Sequence, residues 1–162
     1  CPSKEILEKY KNFSIKNREN VRKGELGCLL SHINVMKDAL NKNYKNIIIF
    51  EDDIIILDKN FIQKTINSID LLKEDFDILF LGANHRKPAK RKVADGIYQC
   101  IRSNCSFAYC INKDTMEKLI VDFDYIFPWD IHWRESINPP IRFYCIIPHL
   151  KDLPHQQLTY FL

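Results

Sequence analysis

The sequence of 162 residues contains no uninterrupted apolar run long enough to cross a bilayer. Its two most apolar stretches, residues 47–50 and 54–57, are separated by the acids Glu51, Asp52 and Asp53. A membrane-spanning helix needs about 20 consecutive apolar residues. We therefore predict no membrane span in this segment.

The sequence also lacks a strong excess of either charge and lacks cysteines at metal-binding spacing. The 24 Lys and Arg residues stand against 21 Asp and Glu residues, and a net charge of +3 does not indicate a nucleic-acid partner. The six cysteines form no C-x-x-C pair and no zinc-finger spacing, which argues against a metal–thiolate centre. We interpret them as small hydrophobic residues, and the spacing leaves their disulfide status open.

The composition that is present is typical of a globular domain, with 46% hydrophobic and 28% charged residues. A chain of this length buries about two thirds of the surface of its unfolded form. Folding then requires neither a disulfide nor a structural metal. We predict a single domain over residues 1–162.

Hydrophobic patterning predicts four successive elements in the first half of the chain. Apolar residues at helical spacing predict a helix over residues 24–41, and a β-branched run predicts a strand at 46–50. Such a continuous apolar run is typical of a parallel strand that is covered on both faces. A helix over 59–73 and a strand over 77–81 follow. The order strand, helix, strand predicts an α/β fold with a central, mostly parallel sheet flanked by helices.

The second predicted helix is expected to begin after the N-cap Asp58 and to turn Ile62, Ile66 and Ile69 toward the core. Residues 85–93 are rich in Lys and Arg, and we predict a surface loop there. The remaining predicted elements are strands at 98–101, 107–111 and 141–147 and a helix at 114–121.

Polar residues follow the first two predicted strands. Glu51, Asp52 and Asp53 come after the first strand, and residues 82–84 come after the second. Ligands of open α/β sheets bind beyond the carboxyl ends of the strands. Consecutive carboxylates repel one another unless a cation lies among them, and Mg²⁺ and Mn²⁺ prefer such oxygen ligands. The triplet therefore predicts a divalent metal site, and the alternative is a group of acids that caps a turn and faces water.

Asp130 is the second candidate, in the segment Pro128-Trp129-Asp130-Ile131-His132-Trp133. Desolvation by neighbouring indoles suits a carboxylate to act as a general base near neutral pH. An aromatic core patch with Asp130 as a helix N-cap is the alternative. The two tryptophans, one helical turn apart, suit either a sugar-stacking surface or simple packing.

Two motifs together resemble a known family. Gly24-Glu25-Leu26-Gly27-Cys28-Leu29-Leu30-Ser31-His32, followed by Phe50-Glu51-Asp52-Asp53, resembles the G-E-x-G-C-x-x-S-H and L-E-D-D motifs of glycosyltransferase family 25. Residues 77–82 and 106–111 are similar to the family's second strand and to its A-Y-x-I segment. The family contains the lipooligosaccharide and the procollagen galactosyltransferases.

The resemblance implies a GT-A-type transferase that uses Mn²⁺ or Mg²⁺ and inverts the anomeric carbon. Its donor would be a UDP-sugar, with galactose the most frequent sugar, and its acceptor a hydroxyl of a glycan or of a hydroxylysine-type side chain. Carried over by position, the resemblance assigns the metal to Asp53, Glu51 and His149, the acceptor's base to Asp130, and the donor to Glu25, Ser31, Asp52 and Asn84.

The sequence also departs from the family pattern. The family begins with a strand and a D-R-x-x-R-type loop, and we expect the single domain to lack that N-terminal strand. This departure motivates an alternative function, a catalytically silent glycosyltransferase-like module that binds a partner or a glycan. A carboxylate-based phosphohydrolase is disfavoured, because E-D-D lacks the D-x-D-x-T spacing of one such class.

The cellular compartment would depend on the acceptor. A bacterial or viral member would act in the cytoplasm, and a collagen-type enzyme would act in the lumen of the secretory pathway. The abundance of Ile, Lys and Asn is typical of AT-rich coding genomes, such as those of some bacteria and giant viruses.

Overall fold

A computed structural model describes residue 4, residues 23–56, 59–73, 75–85, 91–100 and 103–120, residue 129 and residues 142–146. The elements with described bounds are, in chain order, α1 (Lys23–Asn41), β1 (Asn46–Phe50), α2 (Phe61–Leu71), β2 (Ile78–His85), β3 (Arg91–Ala94), β4 (Ile97–Gln99), β5 (Ser103–Asn112), α3 (Lys113–Leu119) and β6 (Phe143–Ile146).

The chain divides into two compact units. The first comprises Cys1–Tyr44 and Met116–Pro140, and the second comprises Lys45–Thr115 and Ile141–Leu162. Helix α1 belongs to the first unit, and all six strands belong to the second. In the described part of the chain, no helix combines the length and the apolar character that a bilayer span requires.

Helix α1 confirms the first predicted helix. It ends in a turn where Asn43 adopts a left-handed φ of 58° and the Tyr44 amide donates a hydrogen bond to the Ala39 carbonyl at 3.0 Å. Leu30 and Leu40, which were also expected to face the core, are only half-buried. The buried apolar residues of α1 form one stripe at helical spacing: Leu26, Leu29, Ile33, Met36 and Ala39.

The second unit is built on a six-stranded sheet in the order β1-β5-β2-β6-β4-β3. Strand β5 runs antiparallel to both β1 and β2, so these two strands are parallel to each other without being hydrogen-bonded neighbours. Strands β2 and β6 form a parallel pair, whereas β6 with β4 and β4 with β3 are antiparallel. The α/β class is confirmed, but the expected mostly parallel sheet is wrong, because β5 returns between the two parallel strands.

Strand β1 has the predicted bounds but not the predicted surroundings. It lies at one end of the strand order and pairs only with β5 among the strands that the structure describes. Ile49 is buried, whereas Phe50 is 38% exposed. The expectation of a parallel strand covered on both faces is therefore wrong.

Helix α2 lies within the predicted range but presents a different face to the core. Its N-cap is Asn60, and Asp58 lies outside the described residues. Ile62 and Ile66 are exposed, whereas Thr65 and Ser68 are buried. The two buried hydroxyls donate to carbonyls of their own helix, Phe61 and Lys64, at 2.8 Å, which offsets the cost of removing them from water.

The basic segment at 85–93 is only partly a loop. Residues 91–94 form β3, which makes a hairpin with β4, and residues 86–90 lie outside the described part. Gly96 occupies the turn with a φ of +69°, a conformation that L side chains rarely adopt. Beside it, the Lys92 ammonium contacts the Asp95 carboxylate at 2.8 Å.

The core of the second unit lies between the sheet and α2. Ile69 of α2 packs against it, and the exposed fraction of Cys110 is 0%. Burial raises the pKa of the Cys110 thiol to about 12, which agrees with its interpretation as a small hydrophobic residue. The buried members of the cluster are Leu72, Phe76, Leu79, Leu81, Ile97, Ala108, Cys110 and Tyr144.

A buried carboxylate joins the beginnings of β2 and β6. Asp77 is 7% exposed and accepts hydrogen bonds from the Arg142 amide at 2.7 Å, the Arg142 Nε at 3.1 Å and the Thr115 hydroxyl at 3.2 Å. The Asp77 amide in turn donates to the Arg142 carbonyl at 3.2 Å. Asn112, at the end of β5, caps α3 by accepting from the Thr115 amide and donates to the Phe76 carbonyl. This network holds three strands and a helix together at one end of the sheet.

Candidate functional site

The described candidate residues of the second unit, Glu51, Asp52, Asp53 and Asn84, lie toward the other end of the sheet. Phe50, the last residue of β1, and Gly82 of β2 both pair with Ala108, one on each side of β5. The two strands point the same way, and two strand spacings place them about 10 Å apart. Residues 51–53 thus follow β1, as the sequence predicts. Residues 82–84 instead belong to β2, which continues to His85, so the expectation that they follow the second strand is wrong.

The acidic triplet begins where β1 stops. The Glu51 amide donates to the Phe107 carbonyl at 2.8 Å, which extends the pairing with β5 by one residue and leaves Glu51 half-buried. Asp52 and Asp53 occupy the turn that follows, and both are exposed. Neither forms a hydrogen bond or an ion pair with another residue that the structure describes. Their oxygens are therefore available to a ligand.

Asn84 lies in β2, where its backbone pairs with Asn104 of β5. The register between the two strands shifts on both sides of Gly82, between Phe80 and Gly82 and again between Gly82 and Asn84. Such irregularities locally redirect side chains and are frequent beside functional sites. The assignment of Asn84 to the donor stays a prediction.

Glu25 and Ser31, the two other predicted donor residues, belong to α1 in the first unit. Glu25 lies in the first turn of the helix and is half-buried. Ser31 is exposed, and its hydroxyl donates to the Gly27 carbonyl one turn earlier at 2.9 Å. Ser31 also lies on the polar edge of α1, where Asn34 and Asp38 are exposed as well.

The first unit contains a buried aromatic pair that the sequence did not reveal. The His32 imidazole stacks on the Trp129 indole, with ring centroids 4.8 Å apart and an angle of 10° between the planes. The exposed fractions are 5% for His32 and 2% for Trp129. For Trp129, packing is thus the correct interpretation and a sugar-stacking surface is not.

Asp130 and His149, the predicted base and the predicted third metal ligand, lie outside the described residues, as does Trp133. Their roles stay predictions. The structure does describe Trp129, the residue before Asp130, and its indole stacks on His32 of α1.

These features define an α/β protein in which an acidic triplet follows a strand at its carboxyl end, the usual location of ligands in such folds. The family model described as Glycosyltransferase family 25 (LPS biosynthesis protein) matches residues 2–133. The chain therefore belongs to glycosyltransferase family 25, a family of nucleotide-sugar transferases.

The relatives include both procollagen galactosyltransferases and an inactive family member. Procollagen galactosyltransferase 1-A of Xenopus laevis is 36% identical over 104 residues, and procollagen galactosyltransferase 2 of Homo sapiens is 23% identical over 104 residues. Inactive glycosyltransferase 25 family member 3 of Homo sapiens is 25% identical over 104 residues. Each match covers 60% of this chain and 17% of the relative, so the chain spans about a sixth of the length of these proteins.

Proposed function

We propose that the protein is a metal-dependent inverting glycosyltransferase that moves a sugar from a UDP-sugar to a hydroxyl group. Galactose is the proposed sugar, and a glycan or a hydroxylysine-type side chain is the proposed acceptor. The observation that carries the proposal is the exposed pair Asp52 and Asp53 at the carboxyl end of β1, in a chain of family 25.

The donor set of the triplet suits a hard divalent cation. Glu51, Asp52 and Asp53 offer carboxylate oxygens, which Mn²⁺ and Mg²⁺ bind in preference to softer ligands. Asp53 and Glu51 would hold the ion with His149, and Asp52 would lie nearer the donor. A bound cation would stabilise the negative charge that develops on the leaving diphosphate.

Asp130 is the proposed base that takes the proton of the acceptor hydroxyl. Inversion requires the acceptor to attack from the face of the sugar opposite the leaving group, so the base must be held in a defined place. The stack of Trp129 on His32 supports this role, because it fixes the chain to α1 one residue before Asp130. Glu25, Ser31 and Asn84 are proposed to contact the donor.

Ligand-dependent thermal stability tests the proposal directly. With UDP-galactose and Mn²⁺ at about a hundred times the dissociation constant, the unfolding midpoint should rise by about 5–10 °C, because the ligand binds only the native state. Chelation of the metal should remove most of this rise. Differential scanning fluorimetry of the intact protein measures both effects.

ADP with Mn²⁺ is the control ligand, since it shares the diphosphate but not the uracil. An equal rise with ADP would contradict a site for uridine nucleotides. The absence of any rise with UDP, UDP-galactose or UDP-glucose in the presence of Mn²⁺ would contradict donor binding itself.

A catalytically silent module is the second candidate function, and the relation to the inactive family member 3 supports it. Such a module would retain the family's fold and would bind a glycan or a protein partner. It predicts little affinity for UDP. It also predicts that Asp130→Asn changes nothing beyond stability.

Asp130→Asn separates catalysis from binding. The amide preserves the shape of the carboxylate but cannot accept a proton, so kcat should fall by about 100-fold or more while donor affinity changes little. Steady-state kinetics and a donor titration measure the two quantities. A loss of donor affinity that equals the loss of kcat would assign Asp130 to donor binding instead.

A further inference from the structure

Two cysteines lie side by side on neighbouring strands of the second unit. Tyr98 of β4 pairs directly with Cys145 of β6, and the Cys100 amide donates to the Phe143 carbonyl at 2.9 Å, which continues the pairing past the end of β4. Side chains alternate along a strand, so Cys100 projects from the same face as Tyr98 and therefore as Cys145. The two cysteines are diagonal neighbours on that face.

The two thiols meet at one backbone carbonyl. The Cys145 Sγ lies 3.6 Å from the Tyr98 carbonyl oxygen, and the Cys100 Sγ lies 3.9 Å from the same oxygen. Two effects raise the pKa of the Cys145 thiol far above that of a free thiol. The larger is its hydrogen bond with the Cys100 thiol, and the second is burial. The two thiols are thus neighbours at the same carbonyl, and both cysteines are reduced in the structure.

The two cysteines differ in their exposure to solvent, and this difference determines which thiol reacts first. Cys145 is 1% exposed, whereas Cys100 is half-buried and is the thiol that a reagent in solvent can reach. Cys110, buried in β5, is likewise out of reach of solvent. A reaction at this place would therefore begin at Cys100.

We propose that Cys100 and Cys145 form a reversible disulfide by exchange with a small disulfide such as oxidised glutathione. The Cys100 thiolate attacks one sulfur of the reagent, releases one glutathione thiolate and forms a mixed disulfide. The mixed disulfide removes the hydrogen bond between the two thiols, and Cys145 then loses its proton and attacks the Cys100 sulfur, which releases the second glutathione. Two protein thiols are oxidised, one reagent disulfide is reduced to two thiols, and the two protons pass to the released thiolates.

The strand geometry makes this disulfide easy to reverse. Diagonal partners on antiparallel strands have Cα atoms about 7–8 Å apart, somewhat beyond the usual span of a disulfide. The bond therefore requires a small backbone shift, which is feasible because β4 ends at Gln99, just before Cys100. A strained disulfide has a higher reduction potential than a purely structural one, so the pair should respond to the redox state of its surroundings.

Redox titration of the intact protein tests the proposal. The protein is equilibrated with mixtures of reduced and oxidised glutathione, quenched with acid, alkylated with N-ethylmaleimide and digested without reduction for mass spectrometry. We expect a peptide pair linked through Cys100 and Cys145, with a mass lower by two hydrogen atoms and with no bound glutathione. Dithiothreitol should reverse it.

Cys100→Ser and Cys145→Ala should each abolish this linkage, and Cys28→Ala, at an exposed cysteine of α1, should leave it unchanged. In the wild type, the modification of Cys28 reports that the reagent is active. A stable glutathione adduct on Cys100 with Cys145 still reduced would overturn the proposal. So would two reduced thiols under conditions that modify Cys28, or a linkage of either residue to another cysteine.

Discussion

Replacing Asp53 with alanine is expected to abolish Mn²⁺-dependent sugar transfer while the protein remains folded. The side chain is exposed and has no hydrogen-bond or ion-pair partner in the described part of the chain, so its loss should change the free energy of unfolding by less than about 0.5 kcal/mol. Loss of a proposed metal ligand should lower kcat/KM by at least about 100-fold. A transfer assay with UDP-galactose, together with thermal unfolding, measures both quantities.

Asp70→Ala is the matched control, because Asp70 is also an exposed aspartate of the second unit but lies on α2. It should leave transfer unchanged. A large fall in the unfolding midpoint for Asp53→Ala would indicate that the acids cap a turn. Unchanged transfer in Asp53→Ala would remove Asp53 from the metal site.

Asp77→Ala should produce the largest loss of stability among the acidic residues described. The buried carboxylate accepts from a backbone amide, a guanidinium and a buried hydroxyl, and its removal leaves the amide and the hydroxyl without their acceptor. We expect a loss of about 2–4 kcal/mol in the free energy of unfolding. The Arg142 side chain is 45% exposed, so water replaces its lost contact and the cost stays below that of a fully buried ion pair. Urea denaturation measures this loss.

Asp75→Ala is the control, because Asp75 contacts the same Arg142 but its side chain is 70% exposed. Its loss should cost less than about 1 kcal/mol. Thr115→Val removes only the hydroxyl from the network and should fall between the two. Equal losses for Asp75→Ala and Asp77→Ala would show that the ion pair, rather than the buried hydrogen bonds, stabilises this end of the sheet.

Local patterns were sufficient to predict the elements near the beginning of the chain. The apolar stripe of α1 and the β-branched run of β1 depend on residues within one element, and the structure confirms both elements. Strand pairing depends on distant residues. Nothing within residues 46–81 shows that β5, which begins at Ser103, will lie between β1 and β2 and make the sheet mostly antiparallel.

Helix α2 shows why hydrophobicity alone predicted the wrong buried face. Two stripes at helical spacing compete, one with Ile62 and Ile66 and the other with Thr65 and Ser68. The second stripe is buried because both hydroxyls find acceptors within the helix, so their burial costs little. A sequence pattern that counts Thr and Ser as polar does not detect this compensation.

The candidate site was predictable to a similar degree. Acids after an apolar strand indicated a position at the end of β1, which the structure confirms, whereas residues 82–84 lie within β2 and the roles of these residues stay predictions. The stacking of His32 on Trp129 was not predictable, because the two residues are 97 positions apart and neither belongs to a pattern that identifies the other.

The position of β6 in the sheet has a consequence for synthesis of the chain on the ribosome. This strand lies between β2 and β4, yet it is the last of the described strands to be made. Until residues 143–146 leave the exit tunnel, the β3–β4 hairpin has no neighbour to join, and one edge of β2 stays open to other chains. Nascent chains should therefore depend on chaperones until β6 can pair, and truncation before Phe143 should give an aggregating product.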